Sequence, residues 1–244
     1  GLPAELRPLG ESLNGLLARL SDALSAQRRF TADAAHELRT PLAAVTLQLD
    51  LARRAGSPGE LAASLSDLEV GVARASHVVE QLMTLASVEP EALAAQKSRC
   101  DLVAIAKDVI VARAGLAERK GLDLGLARAE PASIDGNPAS LTILLSNLVD
   151  NALRYTPVGG RIDVAVGIAD GVSILSVSDT GPGIPPTERE RVFDRFYRGA
   201  NADEPGSGLG LSIVKRIADA HGATVALDAP TTGTGLIVTV RFAR

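Results

Sequence analysis

Tryptophan is absent from this chain of 244 residues, and aromatic residues make up only 2% of it. An aromatic-rich β-sandwich is therefore a poor fit, while the abundant Ala and Leu suit long helices packed through aliphatic seams. The single cysteine, Cys100, has no partner for an intrachain disulfide and no companion thiols for a metal site. It reads as a small core residue, and a reducing compartment fits it. No stretch holds the roughly 20 apolar residues that a membrane-spanning helix needs, and the N-terminus lacks the basic and apolar regions of a signal peptide. On these grounds the chain reads as soluble. Lys and Arg form no run and the formal net charge is −4, so the electrostatic footprint of a nucleic-acid binder is missing. What is present is 46% hydrophobic content, enough for a real core, in a length that suits two domains.

The first half is patterned for helix. From Leu9 the apolar residues fall at Leu13, Leu16, Leu20 and Ala23/Leu24, the four-three alternation of a coiled-coil seam, which predicts a helix from about Arg7. Phe30, Ala34, Leu38 and Leu42 then follow in steps of four before Val45, Leu49 and Ala52 restore the rhythm. That stutter, which unwinds a supercoil locally, is centred on His36. Asp33, His36 and Thr40 share one helical face. Pro41 lacks the N–H that the carbonyl of Glu37 would accept, so the helix is expected to bend or loosen just beyond the histidine. After the breaker-rich turn Ala55-Gly-Ser-Pro-Gly59, an unbroken heptad at Leu61, Leu65, Leu68, Val72, Ala75, Val79, Leu82 and Ala86 predicts a second helix. A hairpin of two such helices leaves each seam half covered, and pairing two hairpins into a four-helix bundle covers it. A homodimer is thus expected from the pattern alone. His77 reads as solvated or packed.

Residues 88–97 read as a linker, with Pro90 closing the second helix. Beyond it the texture alternates. Short strands are expected near 99–102, 122–127 and 132–135, with helices at 103–120 and 138–155. A hairpin of strands, 161–168 and 172–178, turns on Ala169-Asp170-Gly171. A helix at 209–220, with His221 as a helix-end residue rather than a catalyst, and strands at 224–228 and 236–242 complete an α+β sandwich. One mixed sheet with helices on one face is expected.

Three stretches here have chemistry in them. Asn147 and Asn151, at i and i+4 on a helix, offer amide oxygens to a hard cation and N–H groups to phosphate, with Arg154 on the same side. Asp179-Thr-Gly-Pro-Gly183 places a carboxylate at a strand end beside glycines that let a ligand approach the backbone. Gly206-Ser-Gly-Leu-Gly-Leu211 runs into a helix, whose free N–H groups and positive dipole end suit phosphate. This is not a Walker loop, since no G-K-[ST] follows, nor a Rossmann turn, since no strand of a βαβ unit precedes it. The long loop between Asp179 and Gly206, with Phe193 and Phe196 to anchor it, reads as a lid.

Taken in order, HELRTP at His36–Pro41, N-x-x-x-N-A-x-R-Y at Asn147–Tyr155, D-T-G-P-G at Asp179–Gly183, F-x-x-F at Phe193–Phe196, G-x-G-L-G-L at Gly206–Leu211 and G-T-G at Gly233–Gly235 resemble the sensor histidine kinases of two-component systems. The resemblance covers nearly the whole chain. It implies the end of a HAMP-like signal-relay helix at 1–25, a dimerising phosphotransfer hairpin at 26–89, a linker at 90–97 acting as hinge, and an ATP-binding α/β sandwich of the Bergerat/GHKL type at 98–244. A transmembrane sensor half is expected to precede the chain, which would place it on the cytoplasmic side of a bacterial inner membrane.

Residue by residue, the resemblance implies His36 as phosphoacceptor toward the γ-phosphate of ATP. Glu37 would orient or deprotonate the imidazole, and Thr40 would position water against a phosphorylated response regulator. It implies Asn151 as Mg²⁺ ligand supported by Asn147, Arg154 and Arg198 near the phosphates, Tyr155 beside the nucleotide and Asp179 on the adenine amino group. Gly181, Gly183, Ile184, Gly206, Gly208, Leu209, Gly210, Leu211 and Thr234 complete the expected nucleotide site. Ser146 stands where many relatives carry a longer amide or acid, and Arg154 replaces a common Lys, which keeps the charge and changes its geometry. Two other readings use part of the pattern. A GHKL-type ATPase without phosphotransfer leaves HELRTP and the heptads idle, and a non-catalytic dimeric relay would be expected to have lost His36, Asn151 or Asp179.

Overall fold

The computed structural model describes residues 7–87, 97–199, 207–231 and 233–243. The chain divides into two compact units, Gly1–Val79 and Glu80–Arg244. The linker expected at 90–97, with its hinge at Pro90, lies outside the described residues except for Lys97, as do the side chains of Phe30, Asp33 and His77.

The first unit is a helical hairpin. Helix α1 (Arg7–Arg54) spans 48 residues and carries Pro41 inside it. The expected loosening does not interrupt it: the proline is buried, and a helix nucleated on both sides propagates across one missing hydrogen bond. Helix α2 (Pro58–Ser87) starts with a variant of the capping box. The Ser57 hydroxyl accepts the N–H of Glu60 at 3.3 Å, and the Glu60 carboxylate accepts the N–H of Gly56 at 2.8 Å. At Gly71 a Cβ would lie 3.0 Å from Val45 Cγ2, so the missing side chain is what allows the two helices to approach there.

From Leu38 on α1 and from Leu65 on α2, burial along the seams alternates. Leu38, Val45, Ala52, Leu68 and Ala75 are half-buried, whereas Leu42, Leu49, Leu65, Val72 and Val79 are exposed. One half of each seam is covered within the hairpin and the other half is open.

The second unit contains the final stretch of α2, from Glu80, and the α/β sandwich. Strands β1 (Ser98–Asp101) and β3 (Ser133–Gly136) pair antiparallel as a separate two-stranded sheet. This corrects the expectation of one sheet. Each of these strands has only four residues and runs straight into the cap of a helix, which leaves no length for pairing with the main sheet. Asp101 caps α3 (Leu102–Arg119), its carboxylate accepting the N–H groups of Val103 and Ala104 at 2.8 and 3.3 Å. Asn137 caps α4 (Pro138–Tyr155) by accepting the N–H of Ser140 at 3.0 Å, with Pro138 in the first turn, where its lack of N–H is harmless.

The main sheet has the order β2-β4-β5-β7-β6, formed by β2 (Asp123–Ala129), β4 (Arg161–Ala169), β5 (Val172–Asp179), β7 (Leu236–Phe242) and β6 (Ala223–Asp228). β2 runs parallel to β4 and all other pairs are antiparallel. Period-two burial puts Ile162, Val164 and Val166 of β4 in the core, where α4 contributes Leu141, Leu144, Leu145 and Leu148. Arg113 of α3 grips Asp150 of α4 through two bonds of 2.8 and 3.0 Å, which fixes α4 in rotation. Helix α5 (Gly210–Ala220) ends at His221. The His221 Nδ1 lies 2.8 Å from the Ile217 carbonyl, so that nitrogen bears the hydrogen, and Nε2 accepts the N–H of Asn137 at 3.1 Å. The expected helix-end residue thus also pins the start of α4. Cys100 is buried and donates to the Gly136 carbonyl at 3.3 Å.

Replacing Asp101 by Ala should leave two α3 N–H groups without their acceptor and lower stability by about 1 kcal/mol. Urea unfolding of the two proteins measures this; an unchanged midpoint would show that the cap contributes nothing.

Candidate functional site

A cavity opens between α4, the end of β5, the long loop and the start of α5. Three backbone approaches build it, each permitted by a glycine. Gly183, at φ 74°, lies where a Cβ would meet the Gly235 carbonyl oxygen at 2.6 Å, and a Cβ on Gly235 would collide with the carbonyl of Asp179. The D-T-G-P-G and G-T-G motifs are therefore two sides of one contact. Gly208, at φ 67°, abuts the Phe196 backbone, where a Cβ would lie 2.6 Å from the carbonyl carbon. There the Phe196 N–H donates to the Gly208 carbonyl at 3.0 Å. Phe196 itself takes φ 62°, so the F-x-x-F stretch is anchored through main chain, and both phenylalanines are only half-buried. Two short 3-10 turns, Pro186–Glu188 and Arg191–Phe193, give the loop internal structure. The third approach is at Gly210, where a Cβ would lie 3.2 Å from both amide atoms of Asn151.

The sequence motifs converge here. Asn151, Arg154 and Tyr155 line the cavity from α4, and Asp179 does so from the end of β5. Gly183, Ile184 and Arg198 line it from the loop, and Gly208, Gly210 and Leu211 from the start of α5. Four expected residues do not reach the lining. Asn147 stands behind it, its amide donating to the Ile143 carbonyl at 2.9 Å. Gly181 gives its N–H to Asp179, Leu209 is fully buried, and Thr234 is exposed. Gly206 lies outside the described residues. Sequence reasoning passed over the apolar floor. Val177 and Asp179 share a face of β5 and pair with Val238 and Leu236 of β7, a period-two signal present in the strands. Tyr197 was also passed over; its ring lies 4.4 Å beneath the Arg191 guanidinium.

Asp179 is 8% exposed, and its carboxylate accepts the Gly181 N–H at 2.8 Å. Burial pushes its carboxyl above the usual aspartate range, and the N–H groups of Gly181 and Leu236 act against that rise. Helix α5, whose start also lines the cavity, begins at Leu209 without a side-chain cap on that residue, which leaves backbone N–H groups of its first turn for a ligand. The cavity therefore offers a buried acceptor and apolar strand residues. It also offers two arginines, a helix N-terminus and the hard oxygen of Asn151. That donor set fits a ligand with a hydrogen-bond donor on a flat apolar body and a polyanionic tail, accompanied by a hard divalent cation.

In the first unit, His36 and Thr40 are exposed one turn apart on α1, and Glu37 is half-buried. Among the described residues no helix is long and apolar enough to cross a membrane.

Comparison with known proteins gives two family matches. Residues 26–91 match the His Kinase A (phospho-acceptor) domain, and residues 136–244 match the Histidine kinase-, DNA gyrase B-, and HSP90-like ATPase. The Sensor protein kinase PmrB of Pseudomonas aeruginosa is 40% identical over 240 residues, covering 98% of this chain and 50% of the relative. The chain spans about half the length of the curated relatives it matches. Among solved structures, the mycobacterial sensor histidine kinase MprB aligns with a TM-score of 0.53 at 30% identity, over 60% of this chain and 96% of that one. The Acinetobacter baumannii histidine kinase AdeS aligns with a TM-score of 0.65 at 26% identity, over 85% and 97%. With a phospho-acceptor hairpin and an ATPase domain in one chain, in that order, this protein belongs to the sensor histidine kinases of two-component systems.

Proposed function

We propose that the chain is an ATP-dependent protein histidine kinase that phosphorylates its own His36 and passes the phosphoryl group to an aspartate of a response regulator. The observation that supports this best is an exposed histidine in HELRTP on α1, in the same chain as a cavity lined by the buried carboxylate of Asp179, apolar side chains, two arginines and Asn151. Phosphoryl transfer asks a protein mainly for positioning and charge neutralisation. A ring nitrogen of His36 forms a bond to the γ-phosphorus while the bond from that phosphorus to the β–γ bridging oxygen breaks. ADP leaves with the electron pair, and the imidazole loses its proton to the Glu37 carboxylate. The phosphorus–nitrogen bond then breaks as the regulator's carboxylate oxygen attacks.

In this reading ionised Asp179 accepts the adenine amino group, Tyr155 packs by the nucleotide, and Arg154, Arg198 and the start of α5 face the phosphates. Asn151 would hold Mg²⁺, which when bound neutralises phosphate charge. Thr40, one turn from His36, would aim water at the regulator's acyl phosphate, giving phosphatase activity. We further propose that the open half-seam is a homodimer interface that completes a four-helix bundle, and that signal reception and membrane anchoring belong to residues outside this chain.

Substitutions at His36, Thr40, Asp179 and the open seam test the proposal. His36→Gln should abolish acid-labile, alkali-stable labelling from γ-labelled ATP. Thr40→Ala should keep autophosphorylation and transfer but slow the decay of purified phosphorylated regulator in the presence of ADP. Equal clearance by the two proteins would remove Thr40 from that role.

Asp179→Ala should weaken ATP binding on the order of ten- to a hundredfold, from loss of a charge-assisted hydrogen bond worth roughly 1.5 to 3 kcal/mol. Calorimetry reads this. The raised carboxyl also has a stability signature. Its contribution is fully present below the ordinary aspartate range and is lost as pH rises through the raised folded value, because the folded state binds the proton more tightly. Wild type should therefore gain stability relative to Asp179→Asn as pH falls through that window. A constant difference would show that burial does not strain the carboxylate.

Charging the open seam with Leu49→Glu and Val72→Glu should leave the helices formed and the protein monomeric in sedimentation. A dimer that persists would place the interface elsewhere.

A further inference from the structure

A chain of buried polar groups runs from α4 to the glycine loop through a residue that no motif singled out. Gln81, on the part of α2 that belongs to the second unit, is 8% exposed, as are Asn147 and Ser207. Its Nε2 donates to Asn147 Oδ1 at 3.3 Å, and its Oε1 accepts the Ser207 hydroxyl at 2.6 Å. Ser207 Oγ in turn accepts the N–H of Leu209 at 3.3 Å.

The polarity of this chain is fixed at both ends by backbone. The Ile143 carbonyl can only accept, so the Asn147 NH₂ must face it and the Asn147 oxygen must face Gln81. Gln81 then presents NH₂ to Asn147 and its oxygen to Ser207. The serine hydroxyl must spend its only hydrogen on Gln81, which leaves its lone pairs for the N–H of Leu209, itself able only to donate. No member can be flipped without placing two donors or two acceptors face to face. Buried networks of this kind specify one geometry because a half-satisfied member is costly.

Leu209 is the residue from which α5 starts, and it has no side-chain cap of its own. The next residue, Gly210, lies against both Asn147 and Asn151. We infer that Gln81 is a positioning residue for nucleotide binding: it ties the Ser207–Gly210 loop to the Asn147 face of α4, and so sets the start of α5 relative to Asn151 before any ligand arrives. Gln81 lines no part of the cavity, so it acts through Ser207 and Asn147 and not on the ligand. The inference rests on the reading of the cavity as an ATP site.

A double-mutant cycle on the whole chain tests it, using Gln81→Met, Ser207→Ala and the pair, with ATP affinity measured by calorimetry in the absence of Mg²⁺. If the loop adopts its binding geometry in about a tenth of molecules once the tie is cut, each single variant binds ATP about tenfold more weakly. The pair should then be no weaker than the weaker single variant, because the tie can be cut only once. Gln81→Glu, which can still accept from Ser207 but cannot donate to Asn147, should recover part of the loss. Additive losses, or unchanged affinity in Gln81→Met, would overturn the inference. A wild-type chain that binds no ATP would instead sink the functional reading. Hydrogen exchange without ligand gives a readout besides affinity: the Leu209 amide should be protected in wild type and should lose protection in Ser207→Ala, and a fast-exchanging Leu209 amide in wild type would overturn the inference independently.

Discussion

The second unit depends on main chain meeting main chain with nothing between. Gly235 against the carbonyl of Asp179, Gly183 against the carbonyl of Gly235, and Gly208 against Phe196 bring three separate segments to atomic contact around one cavity. A methyl group at any of these places would push a wall outward, and at Gly183 and Gly208 it would also have to sit at a positive φ that side chains avoid. Asp179 is deeply placed because its own carbonyl is already in contact with a neighbouring strand end. Its carboxylate is consequently held by backbone donors and kept from water, which is what makes it an uncomfortable charge and a selective acceptor at once.

The first unit follows a different logic, in which packing is left unfinished. A two-helix hairpin can bury only one flank of each apolar stripe, and alternate heptad residues remain at the surface. Large exposed aliphatic stripes of this kind mark interaction surfaces. Within the hairpin, Gly71 opposite Val45 sets the distance between the helices, and the reciprocal bonds between Ser57 and Glu60 set where α2 begins. The long helix tolerates Pro41 because its neighbouring turns are already formed.

Element type and order were legible because the signals are local: the heptads, the breaker-rich turn at Ala55–Gly59 and the Asp170-Gly171 turn each act within a few residues. The separation of β1 and β3 into their own sheet was not legible, because strand pairing partners are chosen by tertiary packing and short strands read alike in sequence. At the site, Asn151, Arg154, Asp179 and the glycines could be named from motif spacing. The reason for Gly235 could not, since it depends on a carbonyl more than fifty residues earlier in the chain. Gln81 was invisible for the same kind of reason: a glutamine among heptad leucines looks like a solvated position until Asn147 and Ser207 are seen beside it.

The two hydrogen bonds of the His221 ring bear on which histidine can act as a nucleophile. An imidazole attacks phosphorus through the lone pair of its unprotonated nitrogen, and a neutral ring has one such pair. In His221 the proton is committed to the Ile217 carbonyl at Nδ1, and the lone pair at Nε2 is occupied by the N–H of Asn137. Freeing that pair would mean detaching the head of α4 from the end of α5. His221 is thus chemically silent toward electrophiles for as long as the sandwich is folded, and the phosphoryl transfer proposed above runs through the exposed imidazole of His36 on α1.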